Sequence, residues 1–181
     1  MDTSFLRKVP LFEGLTEEDL EAIAKVTISR TYDKDQIIIL AEEEGDALFI
    51  IESGQVKVSI VSEDGREVIL SLLANGAVFG ELSLLDGKPR SANVVATENT
   101  ALYMVRRADF LQLIYKVPKI AIALLAELAA RLRKTDRKIE GLALLDVTSR
   151  ISETLLQLAT DQGEQREEDI HLATRPTHQQ L

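Results

Sequence analysis

Between residues 28 and 105 the chain is cut into short runs of Ile, Val, Leu and Phe, divided by Gly, Asn and Asp. The runs are 36–40, 48–51, 55–61, 67–73, 92–96 and 101–105. Segments this short, separated by turn residues every 8–12 positions or so, bury their apolar faces only by folding onto one another in a sandwich or closed roll. Asp64-Gly65 lies between the third and fourth runs and is the strongest short-range hairpin signal, because both residues tolerate positive φ. Gly45, Gly54, Gly65, Gly76, Gly80 and Gly87 are expected to mark the corners.

Helical patterning flanks this region. Thr16 with Asp19 three residues on resembles a capping box, and Glu17 and Glu18 sit where a helix dipole favours anions. Leu20, Ile23 and Ala24 then form a short apolar stripe. After residue 106 the period is helical again: Ala108–Tyr115 reads as one helix, and Pro118 suits the first turn of the next. That helix is expected to run to about Leu145. Ala121, Leu125, Leu128, Leu132, Thr135, Ile139 and Leu142 follow a 4-3 alternation, the seam of a two-stranded coiled coil. The alternative is an amphipathic helix packed on its own domain. Val147–Ala159 reads as a further helix, 160–171 as a polar connector, and 174–181 as a helix start with Thr177 as N-cap. The expected architecture is therefore α+β: an antiparallel β-roll with flanking helices (1–116), a dimerisation helix (117–146) and an incomplete unit (147–181). The sequence is expected to be the leading part of a longer protein.

Composition removes several chemistries. Of the 181 residues none is cysteine, which excludes disulfides, thiolate catalysis and cysteine-ligated iron–sulfur clusters within this sequence. The only histidines are His171 and His178, so no His-rich metal site is expected. No apolar run approaches the roughly 20 residues of a membrane span, and no secretory signal is recognisable, so the expected location is the cytoplasm. The net charge of −9 does not fit binding of nucleic acid through bulk electrostatics. No nucleophile–base pair or Walker-type loop is present, and the chain is expected not to be an enzyme.

The segment 79–92, FGELSLLDGKPRSA, carries the chemistry. Arg90 offers a guanidinium fork, and a short helix expected at Leu82–Leu85 offers free N–H groups near the same place, a pairing suited to a phosphate. Glu81 is an ionised acceptor suited to a sugar hydroxyl. Gly80 allows close backbone approach. Singly these are weak signals, since a Glu and an Arg nine apart are usually a solvated ion pair. Together the stretch resembles, without a gap, the phosphate-binding cassette of cyclic-nucleotide-binding domains. Upstream, EEGDALFIIESGQVKV resembles that family's strand–turn–strand lead-in. Residues 128–159 resemble the dimer helix and following helix of the bacterial Crp–Fnr transcription regulators, and RPTHQQL resembles the start of their winged helix-turn-helix.

The resemblance implies that Glu81 takes the ribose 2′-hydroxyl and Arg90 the cyclic phosphate, with Ser91 and the Leu82–Ser83 region adding phosphate contacts. It places Thr135 at the adenine ring, in agreement with its position on the seam. Where the cAMP-responsive activators have a serine after that threonine, this chain has Asp136. A carboxylate only accepts, so it suits either the adenine N6 amino group or the N1–H and N2 edge of guanine. The expectation is cAMP as ligand, with no cofactor or metal, a homodimer through 117–146, and DNA as a partner of the full-length protein only. A sensor module attached to an enzyme or channel is the alternative, as is a relative responding to cGMP or cyclic di-GMP.

Overall fold

The computed structural model describes residues 3–144, together with 152, 155–156, 159–160, 163–166 and 169–172. The chain divides into two compact units, 1–127 and 128–181. The first opens with α1 (Thr3–Leu6), a tight turn at Pro10–Phe12 and α2 (Glu17–Val26). The capping box expected at the start of α2 is formed: Thr16 Oγ1 accepts from the Asp19 N–H (3.2 Å), and the Thr16 N–H donates to Asp19 Oδ2 (3.2 Å).

Eight strands follow: β1 (Thr27–Tyr32), β2 (Ile37–Ile39), β3 (Ala47–Ser53), β4 (Val56–Val61), β5 (Glu67–Leu73), β6 (Val78–Phe79), β7 (Asn93–Ala96) and β8 (Thr100–Arg106). They form two antiparallel sheets, ordered β1-β8-β3-β6 and β2-β7-β4-β5. The six expected runs all become strands, with boundaries shifted by at most two residues and those of β5 unchanged. β1 and β6 were not anticipated. In β1, TISRTY, most side chains reach solvent, so no apolar alternation marks it; β6 has only two residues. The Asp64-Gly65 turn closes the β4–β5 hairpin, with Gly65 at φ +82° and its N–H donating to Ser62 O (2.8 Å). Gly54, Gly76, Gly80 and Gly87 also take positive φ, whereas Gly45 does not.

Between the sheets lies the core: Ile39, Ala47, Phe49, Ile51, Val56, Phe79, Val94 and Leu102. Phe49 and Phe79 stack with ring centroids 5.3 Å apart, fixing β6 against β3. This matters because β6 delivers the chain directly into the segment singled out above. After β8 come α3's later companions α4 (Arg107–Lys116) and α5 (Pro118–Leu144), α3 itself being Glu81–Asp86 between β6 and β7. Ile120 and Leu124 are buried within the first unit, but other apolar residues of α5 are not: Leu125, Leu132 and Ile139 are 65%, 62% and 58% exposed. Of the expected seam, Leu125, Leu132, Thr135 and Ile139 are thus exposed in the single chain, while Ala121 and Leu128 are half-buried.

In the second unit, residues 163–166 and 169–172 pair as an antiparallel hairpin, β9–β10. The polar connector expected over 160–171 is thus largely strand: GEQR holds no apolar residue, and the alternation of DIHL spans only four residues. Described residues between 152 and 160 are helical. The break expected near Leu145 and the N-cap expected at Thr177 lie outside the described residues. Among the described residues, no helix is long and apolar enough to cross a membrane.

Candidate functional site

Gly80 turns the chain from β6 into α3. It adopts φ +81°, ψ 5°, a left-handed conformation that only glycine takes without strain. α3 extends one residue beyond the expected Leu82–Leu85 at each end. It stops at Gly87 (φ +70°), whose N–H donates to Ser83 O (3.1 Å). The Lys88 N–H then bonds Asp86 Oδ1 (3.0 Å), setting up the turn that returns through Pro89 to Arg90.

Arg90 is held from both its main chain and its side chain. Its main chain pairs twice with the loop between β2 and β3: its N–H donates to Glu43 O (2.8 Å), and its carbonyl accepts from the Glu42 N–H (2.9 Å). Its side chain is only 7% exposed. Nη1 donates to Gly80 O (2.7 Å) and Nη2 to Ala47 O (2.6 Å). These bonds engage two of the five N–H donors of a guanidinium, leaving three for a further acceptor. Burial pushes the Arg90 pKa down, opposed first by the negative charge of Asp46 and then by that of Glu81. The group stays cationic, since arginine does not deprotonate in proteins. Glu81, the first residue of α3, is 2% exposed. A buried cation, a buried carboxyl group and the start of a short helix are thus gathered on one short segment.

Glu81, Ser83 and Arg90 are buried and Gly80 half-buried, while Leu82 and Ser91 lie on the exposed side of the same segment. At Gly80 a Cβ would meet Arg90 Nη1 at 2.8 Å. Thr135 and Asp136 belong to the second unit, on α5. Both are exposed, and Thr135 Oγ1 donates to Arg131 O (3.0 Å) within its own helix.

The contribution of residues 42–47 was not read from the sequence. Glu42, Glu43 and Ala47 act through backbone groups, which no side-chain pattern advertises. On the flank of the cassette a cavity of about 370 Å³ is lined by Glu44, Gly45, Ser83, Lys88, Pro89 and Arg107. Arg107 Nε donates to Leu84 O (3.0 Å), tying the start of α4 to α3. Among the described residues, no group of three His, Asp or Glu is placed to hold a metal ion.

Comparison with known proteins agrees with this geometry. The family described as Cyclic nucleotide-binding domain matches residues 29–116. A protein of Thermus thermophilus named Cyclic AMP receptor protein is 38% identical over 149 residues, covering 82% of this chain and 69% of that one. The crystal structure of Thermus thermophilus catabolite activator protein superposes with a TM-score of 0.69 at 38% identity, covering 82% of this chain and 70% of its own. The c-di-GMP responsive global regulator CLP of Xanthomonas campestris gives a TM-score of 0.72 at 26% identity, covering 81% of this chain and 73% of its own.

Proposed function

The chain belongs to the Crp–Fnr family of cyclic-nucleotide-binding-domain proteins, and from that premise we propose that it is the ligand-sensing part of a dimeric, cytoplasmic transcription regulator whose effector is cAMP. The observation that carries this reading is the caged Arg90 cation beside buried Glu81. A cyclic phosphate supplies an acceptor for the guanidinium N–H groups that Gly80 and Ala47 do not engage. Arg90 takes the phosphate, Ser83, Ser91 and the Leu82 region of α3 support it, and Glu81 accepts from the ribose 2′-hydroxyl. The proposed occupant is a ligand rather than a cofactor, and the chain itself catalyses nothing.

The dimer forms through the apolar stripe of α5, and Thr135 and Asp136 on that helix read the base. A ligand shifts an equilibrium only by its differential affinity for two states. The base contact is that difference here, because it orders the helix on which the residues beyond Asp146 depend. DNA is a partner of the full-length protein, whose base-reading helix would have to enter the major groove. The Xanthomonas relative, which by its title responds to c-di-GMP, keeps cyclic di-GMP as a second reading, and the acceptor Asp136 keeps cGMP.

Isothermal titration calorimetry with cAMP, cGMP and cyclic di-GMP tests the assignment. The expected result is micromolar binding of cAMP that Arg90→Ala weakens tenfold or more, since a charge-assisted hydrogen bond contributes about 1.5–3 kcal/mol. A tenfold preference for cGMP or cyclic di-GMP overturns cAMP as effector. No heat with any of the three overturns the sensor reading itself. Thr135→Ala is expected to narrow the preference for cAMP over cGMP while phosphate-dependent binding persists; unchanged selectivity removes Thr135 from the base site.

A further inference from the structure

Gly45 sits on the loop between β2 and β3, 45 residues before Arg90, and its backbone is not left-handed. Local conformation therefore does not demand glycine there. What demands it is the cation. A Cβ at position 45 would lie 2.5 Å from Arg90 Nε, 2.6 Å from Arg90 Cζ and 2.8 Å from Ser83 Cβ. The guanidinium cannot swing aside freely, because doing so breaks its bonds to Ala47 O and Gly80 O and leaves a buried charge without those acceptors. Ser83 cannot yield easily either, being buried within α3.

We propose that Gly45 is a positioning residue for phosphate recognition: the space left by its absent side chain is the seat in which the Arg90 guanidinium is held. This rests on the reading of the cassette as the cyclic-phosphate site. The cassette supplies the cation, and the β2–β3 loop decides where its charge sits. Four neighbouring residues share that task, Glu42 and Glu43 by pairing with the Arg90 main chain, Gly45 by clearance, and Ala47 by its carbonyl. Enlarging residue 45 displaces the fork from the phosphate but leaves the sugar and base contacts in place.

The test is a double-mutant cycle by calorimetry on the full 181-residue chain, with cAMP and with adenosine, which lacks the phosphate. Gly45→Val is expected to weaken cAMP tenfold or more and Gly45→Ala severalfold, with adenosine binding changed less than twofold. In the Arg90→Ala background, Gly45→Val is expected to add less than twofold. Gly45→Val within threefold of wild type, while Arg90→Ala loses tenfold, overturns the proposal and leaves the cAMP site standing. An equal loss in both backgrounds, or an equal loss for adenosine, also overturns it by making the effect merely structural. A wild-type chain that binds no cAMP overturns both. Should Gly45→Val not fold, the Arg90 Nε–H resonance decides: it is expected to move in Gly45→Ala, and an unmoved signal overturns the proposal.

Discussion

Glu42 adopts φ +67°, a left-handed conformation in a residue with a full side chain, while its N–H is committed to the Arg90 carbonyl. The left-handed region costs an L-residue roughly 1–2 kcal/mol, and glycine gives back roughly 0.5–1 kcal/mol through its greater unfolded-state freedom. Glu42→Gly is therefore expected to stabilise the protein by up to about 1.5 kcal/mol, measured by urea unfolding. Glu67 makes a different prediction. It accepts from Lys57 Nζ (2.8 Å) and Ser59 Oγ (2.7 Å), and these bonds hold its pKa below the ordinary 4.5. The folded state thus keeps Glu67 ionised more readily than the unfolded chain does. Its contribution is complete above that ordinary value and is lost as pH falls through the lower, folded one. Glu67→Gln should flatten this part of the acid limb, seen as a shallower loss of unfolding free energy below about pH 5; an unaltered slope would count against the network. At this scale Glu81 and Arg90 were legible only within the whole 79–92 stretch, because singly each reads as a solvated surface charge. Gly45 was legible only as a supposed corner, because its constraint comes from a side chain 45 positions away.

Among the elements, α2 was readable down to its cap. Removing the Thr16 hydroxyl by Thr16→Ala is expected to cost about 1 kcal/mol, with the loss appearing in thermal unfolding of the β-roll's N-terminal cover. The β4–β5 hairpin was equally plain from Asp64-Gly65. β1 gives no such signal because none of the TISRTY side chains is fully buried, and the strand gains its stability from the register with β8, Thr27 opposite Val105 through Tyr32 opposite Thr100. β6 escaped because two residues carry no period; stacking of Phe79 on Phe49 holds it. Elements stabilised by their own side-chain pattern can be read locally, whereas those stabilised by a partner strand cannot.

For the whole molecule, the 4-3 spacing of α5 gave the stripe, and among its described residues Leu125, Leu132 and Ile139 remain mostly exposed, whereas Ile120 and Leu124 elsewhere on the helix are buried. An exposed seam of this kind is the surface a second copy covers in a coiled coil. Leu132→Glu is expected to shift the chain to monomer in sedimentation velocity without lowering the thermal stability of the first unit; an unchanged dimer would place the interface elsewhere. The same stripe carries Thr135, so in the proposed function pairing of copies and reading of the base would share one helix. By mass action, ligand would then tighten self-association and self-association would tighten ligand. A cell holding few copies would need more cyclic nucleotide for the same response, and the sensor would report its own abundance along with the signal.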